Sequence, residues 1–199
     1  MPVPYLRTLT LAAAFTAATA LAQSPGQAAP DFTLTDTAGK AVKLSDLRGK
    51  YVVLEWTNPD CPFVRNQYDK RGMQAQQKRW RGQDVVWMTI NSTNKNHSEF
   101  KAPAVMASWM KVQGGAPAVL SVDGDSAVAR TYGVKTTPEM YVIDPAGKVV
   151  YAGAIDDGRS TRHDPLAAHN FVQAALTQVK AGQSVAQAST APYGCSLKY

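Results

Sequence analysis

Cysteine is scarce in this sequence. Its 199 residues include two cysteines, Cys61 and Cys195, and three histidines. Two thiols cannot build the dense disulfide framework on which small secreted domains depend. None is needed here, because a chain of this length can bury a hydrophobic core without cross-links. The composition, with 45% hydrophobic and 18% charged residues, is that of one ordinary globular domain.

The sequence also lacks an apolar run of about 20 residues, the length that spans a bilayer. Its longest run, residues 9–21, is interrupted by threonines, among them Thr16 and Thr19. Arg7 precedes this run and Ala20-Leu21-Ala22 ends it, a pattern typical of a secretory signal with its cleavage site. We expect residues 1–22 to be removed, and the mature chain to be exported to the periplasm without stable membrane insertion.

Charge is not concentrated enough to indicate a nucleic-acid partner. The formal net charge is +6 at pH 7. The densest group of cations, within residues 70–81, falls at the end of a predicted helix, where it opposes the helix dipole favourably. A solvated helix end explains these cations, and we expect no nucleic-acid binding.

Strand-like and helix-like segments alternate after a linker at 23–29. The predicted strands are a hairpin within 31–45, then 51–57, 85–90, 118–122, 140–143 and 149–152. The predicted helices are 62–80, 103–113, a short helix capped by Asp125 and reaching Tyr132, and a last helix from the cap Asp164 to the stop Gly182. This order predicts an α/β fold with a mixed central sheet flanked by helices, a domain over 23–182, and a C-terminal tail, 183–199, that carries Cys195.

Cys61 lies where an apolar strand gives way to a helix. The run Tyr51–Trp56 ends at Thr57, and Pro62 is typical of a first helical turn. The free N–H groups at a helix start favour the thiolate form of a cysteine, so this position suits a nucleophile. The alternative is a buried core cysteine packed as a small hydrophobic residue. Its polar neighbours Asn58 and Asp60 argue against that alternative.

The chain resembles the thioredoxin-like superfamily over residues 29–181. The resemblance rests on a cysteine at a helix start, the later Thr136-Thr137-Pro138, and a hairpin and helix after it. The amino-terminal hairpin followed by residues 45–50 is similar to the redoxin branch, which includes alkyl hydroperoxide reductase/thiol-specific antioxidant proteins and exported TlpA-type thioredoxins. The resemblance implies a thioredoxin-like fold with an added N-terminal β-hairpin.

The resemblance implies further site residues. Glu55 holds the position of the buried carboxylate six residues before the cysteine, where a raised pKa would suit proton transfer; the alternative is a side chain that faces solvent. Thr137-Pro138 matches a threonine–cis-proline pair that lies against the cysteine and leaves a backbone edge open for an extended substrate. We expect Thr57, Asn58 and Pro62 to complete the substrate site.

Two departures from the resemblance matter. Val64 stands where thioredoxins carry a second cysteine, so the motif is Cys61-Pro62-Phe63-Val64 and local C-x-x-C cycling is excluded. Peroxiredoxins carry proline seven and threonine or serine three residues before their cysteine, and here these positions are Leu54 and Asn58. Thr57 is one residue away from supplying that hydroxyl.

Cys195 is the remaining thiol. On a mobile tail beside Gly194, it is a candidate to resolve a mixed disulfide or sulfenic acid on Cys61. The alternatives are a permanent structural disulfide and a disulfide between chains.

The loop that follows the last predicted strand is polar. In the resembled fold its Arg159, Arg162 and His163 would rim the site and favour the thiolate, whereas the alternative is a solvated loop.

The sequence therefore favours an exported thiol-dependent oxidoreductase that needs no cofactor or metal. Its partners would be a protein or small-molecule disulfide, or a hydroperoxide, together with an external thiol reductant. The alternatives are a peroxiredoxin-like thiol peroxidase and a non-catalytic metal-binding or chaperone module. Against the last of these, paired cysteines are absent and the methionines are scattered at core-like spacings.

Overall fold

The computed structural model describes residues 23–199, so the predicted signal segment, 1–22, lies outside the described residues. The strands are β1 Thr33–Thr35, β2 Ala41–Lys43, β3 Tyr51–Trp56, β4 Val85–Asn91, β5 Val119–Val122, β6 Thr136–Thr137, β7 Glu139–Ile143, β8 Val149–Gly153 and β9 Cys195–Ser196. The helices are α1 Pro62–Asp69, α2 Gly72–Trp80, α3 Pro103–Gln113, α4 Ala127–Tyr132 and α5 Phe171–Lys180. A 3-10 turn, Leu44–Leu47, follows β2. Within 23–199, no helix has both the length and the apolar character to cross a bilayer.

The central sheet has the strand order β5-β4-β3-β7-β8. β3 lies in its middle, parallel to β4 and antiparallel to β7. Every residue of β3 except Tyr51 is buried, which explains why this strand reads as a nearly continuous apolar run. The mixed sheet and the thioredoxin-like fold predicted from the sequence are confirmed.

Alternate residues of β3 point to two different hydrophobic layers. Val53 belongs to the layer formed with α1, α2, α3 and α5, which also contains Cys61. Leu54 and Trp56 belong to the opposite layer, formed with α4 and the β1–β2 segment. Helices therefore cover both faces, and Glu55, which alternates with Leu54 and Trp56, points to the layer of Cys61.

The single helix predicted for 62–80 is wrong, because α1 and α2 are separate helices. The helix is interrupted at Arg71, whose φ of 68° lies in the left-handed region. A β-carbon at the next residue, Gly72, would come within 2.5 Å of the Pro165 side chain. The break thus lets α2 begin in close contact with the loop before α5, a long-range contact that local helix periodicity does not reveal.

The predicted start of the last helix is also wrong. The helix begins at Phe171, and its cap is Asn170, whose side chain accepts a hydrogen bond from the Gln173 N–H at 2.8 Å. Asp164 instead accepts from the Leu166 N–H at 2.9 Å and stabilises an isolated turn. Both residues are good cap formers, so sequence alone did not separate them.

The tail contains a strand that the sequence did not predict. β9 pairs with β6 in antiparallel register, with Thr136 opposite Ser196 and Thr137 opposite Cys195. Two-residue strands carry no recognisable periodicity, which is why both were missed. The tail is thus hydrogen-bonded to the domain.

The two cap candidates differ in the stability that they contribute. Asn170→Ala removes the true cap of α5 and should lower the free energy of unfolding by about 1 kcal/mol. Asp164→Ala should cost less than about 0.5 kcal/mol, because only a turn is lost. Urea unfolding of the two variants measures the difference, and a larger loss in Asp164→Ala would contradict the assigned helix start.

Candidate active site around Cys61 and Cys195

Cys61 is the N-cap residue of α1. Its backbone is extended, Pro62 begins the helix, and the Arg65 N–H donates to the Cys61 carbonyl at 2.9 Å. Just before it, the Cys61 N–H donates to the Asn58 carbonyl at 3.0 Å, and the Asn58 side chain accepts from the Asp60 N–H at 2.8 Å. These bonds fold residues 58–61 into a tight turn, which places the thiol at the positive end of the helix dipole.

The loop with the cis peptide bond lies directly against this thiol. The Thr137–Pro138 bond is cis, as the sequence predicted. The Sγ atom of Cys61 lies 3.0 Å from the Thr137 carbonyl oxygen, to which the thiol donates. Thr137 in turn is the residue that pairs with Cys195 across β6 and β9. One backbone residue therefore contacts one cysteine side chain and pairs with the other cysteine.

The two sulfur atoms lie 2.7 Å apart, and both cysteines are free thiols. A disulfide has a bond length of about 2.05 Å, so less than about 1 Å separates this arrangement from bonding distance. Cys61 is only 2% exposed, because the tail covers it, whereas Cys195 is partly exposed. The arrangement suits formation of a disulfide within one chain.

Burial raises the pKa of the Cys195 thiol to about 12. The hydrogen bond and the charge of Cys61 contribute to this rise, while the nearby Lys198 opposes it. Cys195 is therefore a protonated thiol at neutral pH when Cys61 is free. Once the Cys61 sulfur is bonded to another group, the contributions of its hydrogen bond and charge disappear and the pKa of Cys195 falls.

The close approach of the tail depends on Gly194. Its φ is +137°, and a β-carbon at this position would lie 2.0 Å from the Thr137 carbonyl oxygen. Only glycine allows both this backbone conformation and this approach.

Backbone hydrogen bonds hold the tail on both sides of Gly194. Before it, the Thr190 N–H donates to the Ala152 carbonyl at 3.2 Å. After it, the Leu197 N–H donates to the Lys135 carbonyl at 2.9 Å. The tail thus runs from β8 across the cis-proline loop as a strap held by backbone hydrogen bonds.

Glu55 is fully buried beneath this site. Burial raises the pKa of its carboxyl group, and hydrogen bonds oppose this rise. The donors to the carboxylate are the Tyr68 hydroxyl at 2.7 Å, the Trp87 indole at 2.7 Å, the Thr89 hydroxyl at 2.8 Å and the Gln77 amide at 3.3 Å. The alternative of a solvent-facing side chain is excluded. A role for Glu55 in proton transfer stays a prediction.

The family can be assigned from the part of the sequence that forms the sheet and surrounds Cys61. A model of the AhpC/TSA family matches residues 25–152. The chain belongs to the AhpC/TSA family. The match includes Cys61 and the cis-proline loop of this AhpC/TSA protein but ends before α5, so Cys195 lies outside it.

Curated proteins similar to this AhpC/TSA protein include a thiol-disulfide oxidoreductase and a peroxiredoxin. It is 34% identical over 135 residues to thiol-disulfide oxidoreductase ResA of Bacillus subtilis (strain 168), covering 64% of this chain and 65% of the relative. It is 32% identical over 135 residues to peroxiredoxin-2 of Cricetulus griseus, covering 61% and 65% of the two chains. The chain thus spans slightly less than two thirds of the length of both relatives.

Among the solved structures, we compare one that is similar over most of the chain. It is the crystal structure of an uncharacterized conserved protein from Geobacillus kaustophilus, which is 26% identical. The TM-score is 0.78, and the likeness covers 88% of this chain and 92% of that one.

The remaining predicted site residues of this AhpC/TSA protein take different positions. Thr57 is buried, and its hydroxyl has no hydrogen-bond partner among residues 23–199. Asn58 is buried and donates to Glu99 at 2.8 Å. Because its side-chain oxygen also accepts from the Asp60 N–H, it shapes the turn before Cys61. Pro62 is exposed at the start of α1, and Pro138 is buried. Their roles in substrate binding stay predictions.

The sequence missed part of the site. Tyr193 donates a hydrogen bond to Asp156, and the ring of His163 lies against both residues. Asp156 follows the last strand of the sheet, and His163 comes from the polar loop in which Arg159 and Arg162 are exposed. The resemblance had pointed to His163 as a rim residue, but for Asp156 the only sequence signal was an aspartate after a strand, which is too common to be informative.

Gly194→Ala should open the site. The added methyl group clashes with the Thr137 carbonyl, so β9 should separate from β6 and expose Cys61. We expect the rate at which N-ethylmaleimide labels Cys61 to rise on the order of tenfold, equivalent to about 1.4 kcal/mol in the opening equilibrium. Gly182→Ala is the matched control, since Gly182 also has positive φ but has open space around it. Equal labelling rates in the two variants would show that the tail does not shield Cys61.

Glu55→Gln should change the pH dependence of stability. Because burial raises the pKa of Glu55, the folded state keeps a proton that the unfolded state releases above about pH 4.3. The free energy of unfolding of the wild type therefore gains a contribution at low pH that is lost as the pH rises through the folded-state pKa. Urea unfolding should show the wild type losing stability relative to the variant across this range. If the free energy of unfolding of the wild type stays constant or rises relative to that of the variant as the pH increases, the raised pKa is contradicted.

Proposed function

We propose that this protein is a thiol-disulfide oxidoreductase in which Cys61 and Cys195 of one chain form a reversible dithiol/disulfide pair. The observation that carries the proposal is the 2.7 Å separation of the two sulfur atoms beside the cis Thr137–Pro138 loop. The likeness to ResA, a thiol-disulfide oxidoreductase by name, supports this chemistry.

The first step is attack by Cys61 on a substrate disulfide. The Cys61 thiolate forms a new S–S bond with one substrate sulfur, and the other substrate sulfur leaves as a thiolate. Cys61 is the better first nucleophile, because it caps α1, whereas burial keeps Cys195 protonated.

The second step is attack by Cys195 on the Cys61 sulfur. The Cys61–Cys195 disulfide forms, and the second substrate sulfur leaves as a thiol that takes up the proton from Cys195. The substrate disulfide has then been reduced by two electrons and the protein dithiol oxidised by two. An external thiol reductant restores the dithiol through the reverse exchange.

The position of the tail restricts the substrate. Cys61 is 2% exposed, and β9 occupies the edge of β6 that an extended peptide would need. A small disulfide requires only a local opening of the tail, whereas a protein disulfide requires β9 to leave β6. We infer that small disulfides react without complete release of the tail and that protein disulfides react only after it.

Hydroperoxide reduction is the second candidate, favoured by the likeness to peroxiredoxin-2. Cys61 would take one oxygen from the peroxide to become a sulfenic acid, and the alcohol would leave. Cys195 would then form the disulfide with release of water. The same two cysteines serve both reactions, so substrate rates must separate them.

The proposed setting is outside the cytoplasm. Disulfide cycling suits an oxidising compartment, and the apolar segment 9–21 after Arg7 is typical of a secretory signal. We propose that the mature protein acts in the periplasm with a thiol reductant as its partner.

The test is peptide mapping of the untreated, oxidised and reduced protein. Reduced protein treated with one equivalent of oxidised glutathione should yield a Cys61–Cys195 peptide link. In a mixture of ¹⁵N-labelled and unlabelled chains, the link should join peptides of the same label. Cys195→Ser should stop at a Cys61–glutathione mixed disulfide. Ser196→Ala, a change at the exposed neighbour in β9, is the matched control and should cycle like the wild type.

Three results would contradict the proposal. The link could be absent in every state, it could join different chains, or it could be present before oxidation and resist mild reductant. The last result would identify a structural disulfide. Replacing glutathione with hydrogen peroxide then compares the two candidate reactions, and faster reaction with peroxide would favour the peroxidase.

A further inference from the structure

Tyr193 lies two residues before Cys195, and its side chain contacts three other residues of the domain. Its ring packs against Phe63 of α1, with the ring centroids 5.7 Å apart. Its edge-on contact with the His163 ring has a centroid separation of 6.4 Å. Its hydroxyl donates to Oδ1 of Asp156. Burial raises the pKa of this hydroxyl, which is therefore a donor at neutral pH.

Asp156 is 1% exposed and collects several hydrogen bonds. Besides Tyr193, the Gly158 N–H donates to Oδ1 at 2.9 Å and the Gln67 amide donates to Oδ2 at 2.6 Å. His163 Nε2 lies 3.2 Å from Oδ2. A buried carboxylate with this many partners is held in one position.

The partners of Asp156 are fixed to the helix that begins at Cys61. Gln67 belongs to α1 itself. The His163 carbonyl accepts two hydrogen bonds from the same helix. One comes from the Asn66 amide at 3.1 Å, and the other comes from the ammonium of Lys70, the C-cap residue of α1, at 2.7 Å. The anchor of the tail, Asp156, is therefore hydrogen-bonded to the helix that begins just after the nucleophile.

We propose that Asp156 is a positioning residue that sets the distance between Cys195 and Cys61 through Tyr193. The inference deepens the proposed function and rests on it. With Tyr193 fixed on one side and the β6–β9 pairing on the other, Gly194 and Cys195 have little freedom to move away from Cys61. The expected consequence is a high effective concentration of one thiol at the other.

The test measures the equilibrium of the Cys61–Cys195 disulfide with glutathione. One oxidised glutathione plus the protein dithiol gives two reduced glutathiones plus the protein disulfide, and mass spectrometry of alkylated samples reports the ratio. Tyr193→Phe keeps the ring contacts and removes the hydroxyl. We expect the equilibrium to shift on the order of tenfold towards the dithiol.

Tyr151→Phe is the matched control. The Tyr151 hydroxyl lies 2.6 Å from the Thr190 hydroxyl and also holds the tail, but it does so five residues before Cys195 and without contacting Asp156 by a hydrogen bond. We expect this control to shift the equilibrium less than about twofold, because it leaves the Asp156 contact intact. An equal shift in both variants would mean that general packing of the tail sets the equilibrium, and would overturn the inference.

A double-variant cycle distinguishes coupling between Tyr193 and Asp156 from a general loss of folding. In the Tyr193→Phe background, Asp156→Asn should shift the disulfide equilibrium little further, because the link to the tail is already broken. Fully additive shifts, or no shift in Tyr193→Phe, would overturn the inference while leaving the proposed function intact. If the wild type itself forms no Cys61–Cys195 disulfide with glutathione, the proposed function fails instead.

Discussion

The antiparallel pairing of Thr137 with Cys195 is the interaction on which the site depends. Thr137 precedes the cis proline, and its carbonyl oxygen is 3.0 Å from the Cys61 sulfur. Because Cys195 is its strand partner, the pairing sets the position of the second sulfur relative to the first. Without it, two cysteines separated by 133 residues would have to find each other through a large loss of chain entropy.

This pairing also restricts the access of substrates to Cys61. A strand on the open edge of β6 satisfies backbone groups that would otherwise be available to another extended chain. Cys61 is also buried here, so the feature that brings the proposed resolving thiol close shields the proposed first nucleophile. In the proposed reaction the tail is thus both a reactant and a barrier to substrate. Its opening equilibrium, not the intrinsic reactivity of Cys61, is expected to control the rate with large substrates.

Local sequence signals predicted the parts of the site that lie on regular elements. The apolar run of β3 and Pro62 after Cys61 each mark their structure within a few residues, whereas the cis Thr137-Pro138 pair was implied by the family resemblance. The remaining parts depend on contacts distant in sequence. The helix breaks at Arg71, and α2 begins at Gly72, where the absence of a side chain leaves room for Pro165. The pairing of β9 and the contact of Tyr193 with Asp156 join segments that carry no periodic signal, so only the folded chain shows them.

The most direct test of an intramolecular cysteine pair follows the release of thionitrobenzoate after reaction with Ellman's reagent. Attack by Cys61 releases the first thionitrobenzoate, and attack by Cys195 on the mixed disulfide releases the second. The account predicts a second release that is first order, with a rate constant independent of protein concentration, and that is absent in Cys195→Ser. A second release whose rate grows with protein concentration, or none in the wild type, would contradict it.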